Sequence, residues 1–282
     1  MNKLKLKEIL HSFFIEDIGE RDATVTSIFK GDEQGQFTFI AKQAGTFCGE
    51  EVIRTGFTML DENVSISFYV SDGEVISAGQ KLVDIDGNIS ALLMGERVVL
   101  NLVQRMSGIA TEAVKATKIL EGTATKACDT RKTTPGLRML EKYAVTCGGV
   151  SNHRYGLYDG VMIKDNHIDF VGSITEAVAL VKKNIGHMMK VEVETSTKEQ
   201  VLEAVEAGVD VIMFDNCTPE QIQEFVQLVP PTIITEVSGG ITLDNLVTYR
   251  NTGANYISLG CLTHSVKALD ISAKVHYSVE VR

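Results

Sequence analysis

The period of the hydrophobic positions changes along the chain and predicts where helices and strands lie. Residues 4–15 and 49–60 carry apolar side chains at helical spacing. Residues 35–45 and 64–70 alternate apolar and polar side chains, as half-buried strands do, and glycine-bearing turns divide residues 71–88 into short strands. The first 90 residues or so are therefore predicted to form an α+β sandwich.

A long helical period follows over residues 90–121, and Gly108 is predicted to interrupt that helix. Arg97, Asn101 and Arg105 are spaced four residues apart, so they line one helix face. An exposed polar stripe explains the same spacing equally well.

From about residue 123, short apolar runs alternate with helical periods, which indicates βα units and a parallel sheet. The predicted strands end at Asp129 or Thr130 and at Lys164, Glu194, Asp215, Ser238 and Gly260. Helices are predicted over 173–185, 197–207, 218–228 and 242–252. Thr197 with Gln200, and Thr218 with Gln221, fit capping boxes.

The last four strand ends recur every 21 to 23 residues and carry Glu194, Asp215, Ser238 and Gly260. In an α/β barrel such ends converge on the face that holds the active site. Packing alone does not explain charged residues at successive strand ends. A doubly wound sheet also places loops there, so the spacing favours a barrel without excluding that alternative.

The composition indicates an ordinary globular protein. The formal net charge is -10, with 44% hydrophobic and 23% charged residues, as in ordinary globular proteins. No apolar run approaches the roughly 18–20 residues of a membrane span, and the N-terminal pattern predicts an amphipathic helix instead of a signal peptide. The five cysteines are scattered without a CxxC, which suggests reduced thiols and a cytoplasmic location.

One segment departs from the acidic average. Between Lys126 and Lys164, seven Lys/Arg face three acids, and these cations alternate with turn-forming residues and with His153. A local cationic cluster in an acidic protein points to a small anionic ligand, because nucleic-acid binders are usually basic over a whole face. For any single lysine or arginine, a solvated basic loop is the simpler interpretation.

Three constellations carry candidate chemistry. The turn over residues 238–241 and the later turn over 258–265 suit a phosphate, as paired late βα loops of a barrel do. Glu194 and Asp215 are candidates to hold Mg²⁺, to accept bonds from sugar hydroxyls or to stabilise a developing cation, and solvated acids are the plain alternative. Lys164 fits either a Schiff-base lysine or a point charge for an anion, and the neighbouring cations favour the second role.

These residues carry a family resemblance that covers essentially the whole chain. The segments that carry it are ERVVLNLVQRMSGIAT, TRKTTPGLRMLEKYAVTCGG, NHRYGLYDGVMIKDNHI, VEVET, FDN, EVSGGI and LTHSVKALDIS. In this order they resemble the quinolinate phosphoribosyltransferase family. The EDIGERDAT segment matches more loosely, because Arg21-Asp22-Ala23 stands where the family usually has Gly-Asp before the threonine.

The resemblance implies an α/β protein with two domains. An N-terminal α+β sandwich would cover residues 1–110, joined by residues 266–282, and an incompletely closed, TIM-like α/β barrel would cover 111–265. It implies transfer of phosphoribosyl from phosphoribosyl pyrophosphate to quinolinate, giving nicotinate mononucleotide, pyrophosphate and CO₂ in NAD biosynthesis. Mg²⁺ is the implied cofactor.

The resemblance also implies roles for individual residues. The residues that hold the quinolinate carboxylates and the pyrophosphate would be Thr130, Arg131, Lys132, His153, Arg154 and Lys164. The 5-phosphate cradle would comprise Ser238, Gly239, Gly240, Ser258, Leu259 and Gly260. Glu194 and Asp215 would lie near the ribose and the metal, with Lys132 and Lys164 as further catalytic groups. Arg97 would enter a neighbouring subunit's site, so a homodimer with shared active sites is implied, and a hexamer stays open.

Three other functions remain alternatives at this point. A paralogue of the same fold would act on another acceptor, although the complete cationic set argues against it. An aldolase would form a Schiff base on Lys164. A non-catalytic module would bind phosphoribosyl pyrophosphate without turnover. Fold alone does not separate these functions, so the site residues must do so.

Overall fold

A computed structural model of the chain describes residues 1–276. The helices in this range are α1 Lys3–Ile18, α2 Val25–Ile28, α3 Glu50–Leu60, α4 Ile89–Leu120, α5 Arg138–Cys147, α6 Asp165–Val171, α7 Ile174–Asn184, α8 Lys198–Glu206, α9 Pro219–Val226, α10 Leu246–Tyr249 and α11 Cys261–His264. The strands are β1 Gln34–Ala41, β2 Gly45–Thr46, β3 Ser65–Phe68, β4 Val75–Ile76, β5 Lys81–Asn88, β6 Lys126–Cys128, β7 Val161–Ile163, β8 Val191–Thr195, β9 Val211–Asp215, β10 Ile234–Ser238, β11 Tyr256–Ser258 and β12 Ile271–His276.

The chain forms two compact units. The first comprises residues 1–112, 135–148 and 266–276, and the second comprises residues 113–134 and 149–265. The last six residues of the segment 266–282, which the resemblance implies to return to the sandwich, lie outside the described residues. Within residues 1–276, none of the helices is long and apolar enough to span a membrane.

The first unit contains an antiparallel sheet in the order β12-β1-β5-β3 and a short β2-β4 pair. Phe39 of β1 lies opposite Ala273 on one side and Val83 on the other, and it is completely buried. Helix α1 packs against α3 and buries Leu6 and Leu10. The predicted α+β sandwich is therefore confirmed.

The prediction that Gly108 interrupts the long helix is wrong, because α4 runs continuously through it. A Cβ atom on Gly108 would lie 2.2 Å from the carbonyl oxygen of Lys267, so the glycine allows a second backbone segment to approach the helix. Glycine is tolerated inside a helix where such an approach requires it.

The second unit contains six parallel strands in the order β6-β11-β10-β9-β8-β7. Consecutive strands from β7 to β11 are neighbours, and β6 joins at β11, which is the strand order of a barrel that is open between β6 and β7. Beyond β6, a single parallel bridge links Cys128 to Ser151, and no ladder joins β6 to β7 in the described residues. The expected incompletely closed α/β barrel is confirmed.

Local signals set several helix ends of this barrel. The Thr218–Gln221 capping box is complete. Thr197 accepts a hydrogen bond from the Gln200 amide, but the Gln200 side chain accepts from Ser196 instead of Thr197, so only half of that box forms.

Strands β6, β7 and β8 end one residue from the predicted Asp129, Lys164 and Glu194, and two later boundaries differ by more. The helix predicted over 242–252 shrinks to α10, because the Asn245 side chain accepts from Thr242 N and donates to Gly240 O and so stabilises a turn. The last barrel strand ends at Ser258 instead of Gly260, which directly precedes α11.

Candidate active site

A cavity of about 620 Å³ lies at the carboxyl ends of the barrel strands, and all its lining residues belong to the second unit. Twelve predicted site residues line it: Thr130, Arg131, Lys132, His153, Arg154, Lys164, Glu194, Asp215, Ser238, Gly239, Gly240 and Ser258. Three predicted residues do not. Leu259 is completely buried, Gly260 lies beside the Lys132 side chain, and Arg97 is an exposed residue of α4.

Strand alternation explains which side chains reach the cavity. On β9, Met213 and Asp215 line it, whereas Phe214 between them packs its ring 5.8 Å from that of Phe225 on α9. Parallel pairing sets Asp215 beside Ser238 and Met213 beside Glu194. The strand ends that are regularly spaced in the sequence therefore lie side by side and form one polar surface of the cavity.

Two arginines face the cavity together. Arg131 Nε is buried and has no hydrogen-bond partner among residues 1–276. The Arg154 side chain donates from Nη1 to the carbonyl oxygen of Gly160 at 2.8 Å. Burial, and next the nearby charge of Arg131, lower the pKa of Arg154. Because a buried donor needs an acceptor and two close guanidinium groups repel, the geometry favours an anion between them.

His153 is held at three points. Its backbone N–H donates to Asp129 Oδ1 at 2.8 Å, and the Arg154 backbone N–H donates to His153 Nδ1 at 2.8 Å. Nε2 lies 3.0 Å from Glu192 Oε2. Since Nδ1 accepts, we assign the neutral tautomer in which Nε2–H donates to Glu192. Both ring nitrogens are therefore engaged within the chain.

Sequence reasoning missed the buried carboxylates beneath His153. Glu192 and Glu236 are about 5% and 4% exposed, and Oε1 of each has no hydrogen-bond partner among the described residues. Glu236 Oε2 lies 3.6 Å from His153 Nε2. Burial, and next the charge of Glu192, raise the pKa of Glu236 to about 7. The available signal was a glutamate inside each apolar strand, VEVET and TEVS, at the parity that faces the barrel interior.

This raised pKa predicts a pH-dependent stability. Between its ordinary value of 4.5 and about 7, Glu236 keeps a proton in the folded state that it loses in the unfolded state. The free energy of unfolding should therefore fall as pH rises through this window and level off above it. Urea unfolding of Glu236→Gln at pH 5 to 8 should show a flatter dependence than the wild type. The exposed Glu206→Gln should keep the wild-type slope, and equal slopes in all three proteins would contradict the assignment.

An ion pair links two neighbouring strands at the rim. Lys164, which follows β7 and caps α6, donates from Nζ to Glu194 Oε1. Burial raises the pKa of Glu194, and the Lys164 charge partly offsets that shift. Asp215 accepts from Asn216 Nδ2 at 2.7 Å. Lysine and two acids thus lie around the same end of the cavity, with both carboxylates held in place.

Glycines in the turn after β10 let this turn pack closely against Asn216. Gly239 and Gly240 have φ angles of +101° and +64°, which side chains rarely adopt. A Cβ on Gly239 would lie 2.3 Å from Asn216 Oδ1 and 2.6 Å from Asn216 N, whereas a Cβ on Gly240 would meet open space. Asn216 itself has φ of 55° and donates from its backbone to Ser238 O at 2.9 Å. The two strand-end turns therefore support one another.

The two glycines provide a matched pair of substitutions. Gly239→Ala should lower the free energy of unfolding by about 2–3 kcal/mol, because strain is added to a backbone clash. Gly240→Ala should cost about 1 kcal/mol, from its backbone conformation alone. Thermal unfolding of both variants measures the difference, and equal losses would show that the Asn216 contact is unimportant.

Two groups of side chains in residues 1–276 have donors close enough for a metal ion: His153 with Glu192 and Glu236, and Cys48 with Asp72 and Cys147. Metal binding by His153 would require the Nε2 lone pair and would break the Arg154 N–H bond to Nδ1. Glu194 and Asp215 are not in such a group. Two carboxylates without a third donor suit Mg²⁺, which usually completes its shell with waters and substrate phosphates.

Known proteins match this chain over nearly its full length. Residues 22–107 match the family model described as quinolinate phosphoribosyl transferase, N-terminal domain, and residues 109–274 match the C-terminal domain of the same family. A Bacillus subtilis (strain 168) protein named probable nicotinate-nucleotide pyrophosphorylase (carboxylating) is 54% identical over 280 residues, which cover 99% of this chain and 96% of that protein. A Rattus norvegicus protein named nicotinate-nucleotide pyrophosphorylase (carboxylating) is 39% identical over 255 residues, covering 89% of this chain and 85% of that one.

Solved structures agree with these matches. The crystal structure of NadC from Streptococcus pyogenes has a TM-score of 0.94 and 37% identity, covering 99% of each chain. The nicotinate-nucleotide pyrophosphorylase from Francisella tularensis has a TM-score of 0.93 and 34% identity, covering 98% of each chain. Because both domain models and these relatives match a chain whose barrel forms a polar cavity at its strand ends, the chain belongs to the quinolinate phosphoribosyltransferase family.

Proposed function

We propose that this chain transfers the phosphoribosyl group of phosphoribosyl pyrophosphate to quinolinate and releases pyrophosphate and CO₂, giving nicotinate mononucleotide for NAD biosynthesis. Arg131 carries this proposal, because its buried Nε lacks a partner in the described residues and lies near Arg154. A planar dicarboxylate offers acceptors to both guanidinium groups, which bind carboxylates in a forked geometry.

The other cations fit the remaining negative charge of the substrates. Lys132 is exposed at the cavity, and its backbone is held by Thr130 Oγ1 and by Thr263 Oγ1. Lys164 pairs with Glu194 at the end of the cavity that also holds Asp215. These lysines are suited to phosphate oxygens as flexible point charges. The Gly239–Gly240 turn suits the 5-phosphate, since its backbone leaves open space beside Gly240.

His153 supports binding more than proton transfer. Both its ring nitrogens are engaged, Nδ1 by the Arg154 backbone and Nε2 by Glu192. This arrangement fixes the backbone at Arg154 beside the proposed dicarboxylate site. We therefore expect His153 to position Arg154 and to complete the cavity wall.

Mg²⁺ fits the two carboxylates of Glu194 and Asp215 at the cavity. Glu194 and Asp215 offer hard carboxylate oxygens on adjacent strands, and this donor set matches magnesium better than softer metals. When bound there, Mg²⁺ would supply positive charge for the pyrophosphate leaving group. Lys164 already pairs with Glu194, so an ammonium charge is available at the same place.

The acids also suit the charge that develops on the sugar. As the pyridine nitrogen attacks C1 and pyrophosphate leaves, the ribose acquires oxocarbenium character, which nearby carboxylates stabilise. The product nitrogen is positively charged and withdraws electrons from the adjacent carbon. The bond from the ring to the neighbouring carboxylate then breaks, CO₂ leaves, and the electron pair stays on the ring carbon beside the charged nitrogen. That carbon takes a proton from water to give the product, so the protein needs to supply no further cofactor for decarboxylation.

The direct test is an acceptor comparison. The purified chain would be mixed with phosphoribosyl pyrophosphate, Mg²⁺ and either quinolinate or nicotinate, and nicotinate mononucleotide would be followed by mass spectrometry. Product from quinolinate alone is expected, because the paired arginines recognise the second carboxylate. Product from nicotinate alone, or from neither acceptor with a folded protein, would contradict the proposal.

We further propose a cytoplasmic location and a homodimer in which Arg97 of each subunit completes the site of the other. The larger assembly to test for is a hexamer built from three such dimers. Arg97 is exposed on α4, and it forms an ion pair at 3.9 Å with the adjacent Glu96. If the site is shared, mixing inactive Arg97→Ala and Arg131→Ala proteins under subunit exchange should restore about one quarter of wild-type activity. Light scattering would give the subunit number, and a dimeric mixture that stays inactive would contradict the shared site.

A further inference from the structure

Two cysteine side chains meet in the first unit, apart from the proposed catalytic residues. Cys48 lies shortly before α3, and Cys147 is the last residue of α5. They are 99 residues apart in the chain, yet their sulfur atoms lie 3.4 Å apart. Cys48 is completely buried, whereas Cys147 is partly exposed. Only one of the two thiols is therefore open to reagents in solvent.

A network that does not use the sulfur atoms fixes this approach. Asp72 Oδ1 accepts from the backbone of Gly49 at 2.6 Å and of Glu50 at 3.0 Å. Asp72 Oδ2 accepts from the Tyr143 hydroxyl at 2.7 Å, one turn before Cys147 on α5. Gly73 N also donates to Phe47 O at 2.9 Å. The segments on either side of the two thiols are thus held together by oxygen and nitrogen partners.

The environment distinguishes the two thiols chemically. A hydrogen bond from Cys48 lowers the pKa of Cys147 in spite of burial and the Asp72 charge. Burial, the contact with Cys147 and the Asp72 charge raise the pKa of Cys48. The exposed sulfur is therefore the better nucleophile, and its neighbour is a protonated thiol within reach.

Two other cysteines lack this combination. Cys128 is fully enclosed, and burial raises its pKa and that of Cys217. Among residues 1–276, which include all five cysteines, none forms a disulfide. Cys217 therefore serves as an internal reference for an ordinary buried thiol.

We propose that Cys48 and Cys147 form a reversible redox pair, which hydrogen peroxide oxidises to an intramolecular disulfide. The Cys147 thiolate attacks one peroxide oxygen, the O–O bond breaks, and the departing hydroxide takes a proton to become water. The Cys48 sulfur then attacks the sulfenic acid sulfur of Cys147, its proton leaves with the hydroxyl group, and a second water is released. Two thiols lose two electrons in total, and a dithiol reductant reverses the change.

A metal site is the competing use of the same cluster. Asp72 is the third donor within reach. Its two oxygens already accept the Gly49, Glu50 and Tyr143 hydrogen bonds, and a metal would have to displace at least one of them. Structural zinc sites normally have four protein ligands, so two thiols and an engaged carboxylate favour the redox pair.

The test uses the full chain with stoichiometric hydrogen peroxide. After the remaining thiols are alkylated, peptide mass spectrometry should find Cys48 linked to Cys147 within one chain, and dithiothreitol should remove the link. Cys48→Ala should instead leave a sulfenic acid on Cys147, trapped by dimedone. In the untreated protein, iodoacetamide should modify Cys147 at least about tenfold faster than Cys217.

Three outcomes would overturn the proposal. The first is oxidation at other cysteines while Cys48 and Cys147 stay reduced. The second is a disulfide between two copies of the chain. The third is stoichiometric Zn²⁺ that native mass spectrometry finds on the wild type but not on Cys147→Ser, with peroxide giving no link. If Cys48→Ala does not fold, the peptide map of the peroxide-treated wild type still tests the proposal. Cys217→Ser controls for the loss of an unrelated buried thiol.

Discussion

Replacing Arg131 with alanine is expected to lower turnover of quinolinate at least about 100-fold, as loss of a positioned charge donor usually does. The buried Nε of Arg131 has no partner among the described residues, and the neighbouring Arg154 already donates to Gly160 O. Arg154 alone would then have to hold both substrate carboxylates. Steady-state kinetics should show the loss in kcat/KM for quinolinate, with a smaller change in the KM for phosphoribosyl pyrophosphate.

A second substitution separates charge from geometry at this position. Arg131→Lys keeps the positive charge but removes the fork and its Nε, so it should recover only part of the activity. The exposed Lys183→Ala on α7 removes a cation far along the chain and should leave kcat/KM unchanged. Near-normal turnover in Arg131→Ala, with the fold intact by circular dichroism, would remove Arg131 from the site.

Glu194→Gln is expected to lower kcat by about 100-fold, because a carboxylate near the developing sugar cation becomes neutral. The same change removes one of the two proposed Mg²⁺ donors, so the Mg²⁺ concentration for half-maximal activity should rise at least about tenfold. Lys164 also loses its charged partner. Initial rates across a Mg²⁺ series would measure both effects.

Controls distinguish this role from a general effect of charge. Asp215→Asn should shift the Mg²⁺ dependence in the same direction, since Asp215 lies on the adjacent strand and lines the same cavity. Glu206→Gln, an exposed change on α8, should behave as the wild type. A Glu194→Gln enzyme with unchanged Mg²⁺ dependence would leave Glu194 with no part in metal binding.

The sequence predicted the barrel strands well because the signals were local. Apolar runs between glycine-bearing turns located β9 and β10, and their ends at Asp215 and Ser238 are confirmed. The Thr218 capping box was also readable, since a cap depends on residues three positions apart. The long motifs from Thr130 to Ile168 identified the family, and with it most of the residues that line the cavity.

Other features depended on segments far apart in the chain, and only the tertiary structure decided them. Gly108 remains inside α4 because the backbone at Lys267 comes against it, and no local pattern reports that contact. Glu192 and Glu236 meet under His153 because β8 and β10 lie on either side of β9 in one parallel sheet.

The contact between Cys48 and Cys147 likewise joins two segments that are 99 residues apart in the sequence. Periodicity, caps and turns are properties of residues close together in the sequence. The sequence alone therefore determined most helices and strands, the cationic segment and the family. Packing between distant segments determined that α4 is continuous, that Glu192 and Glu236 are buried, and that the two thiols are in contact. These features depend on contacts between residues that are far apart in the sequence.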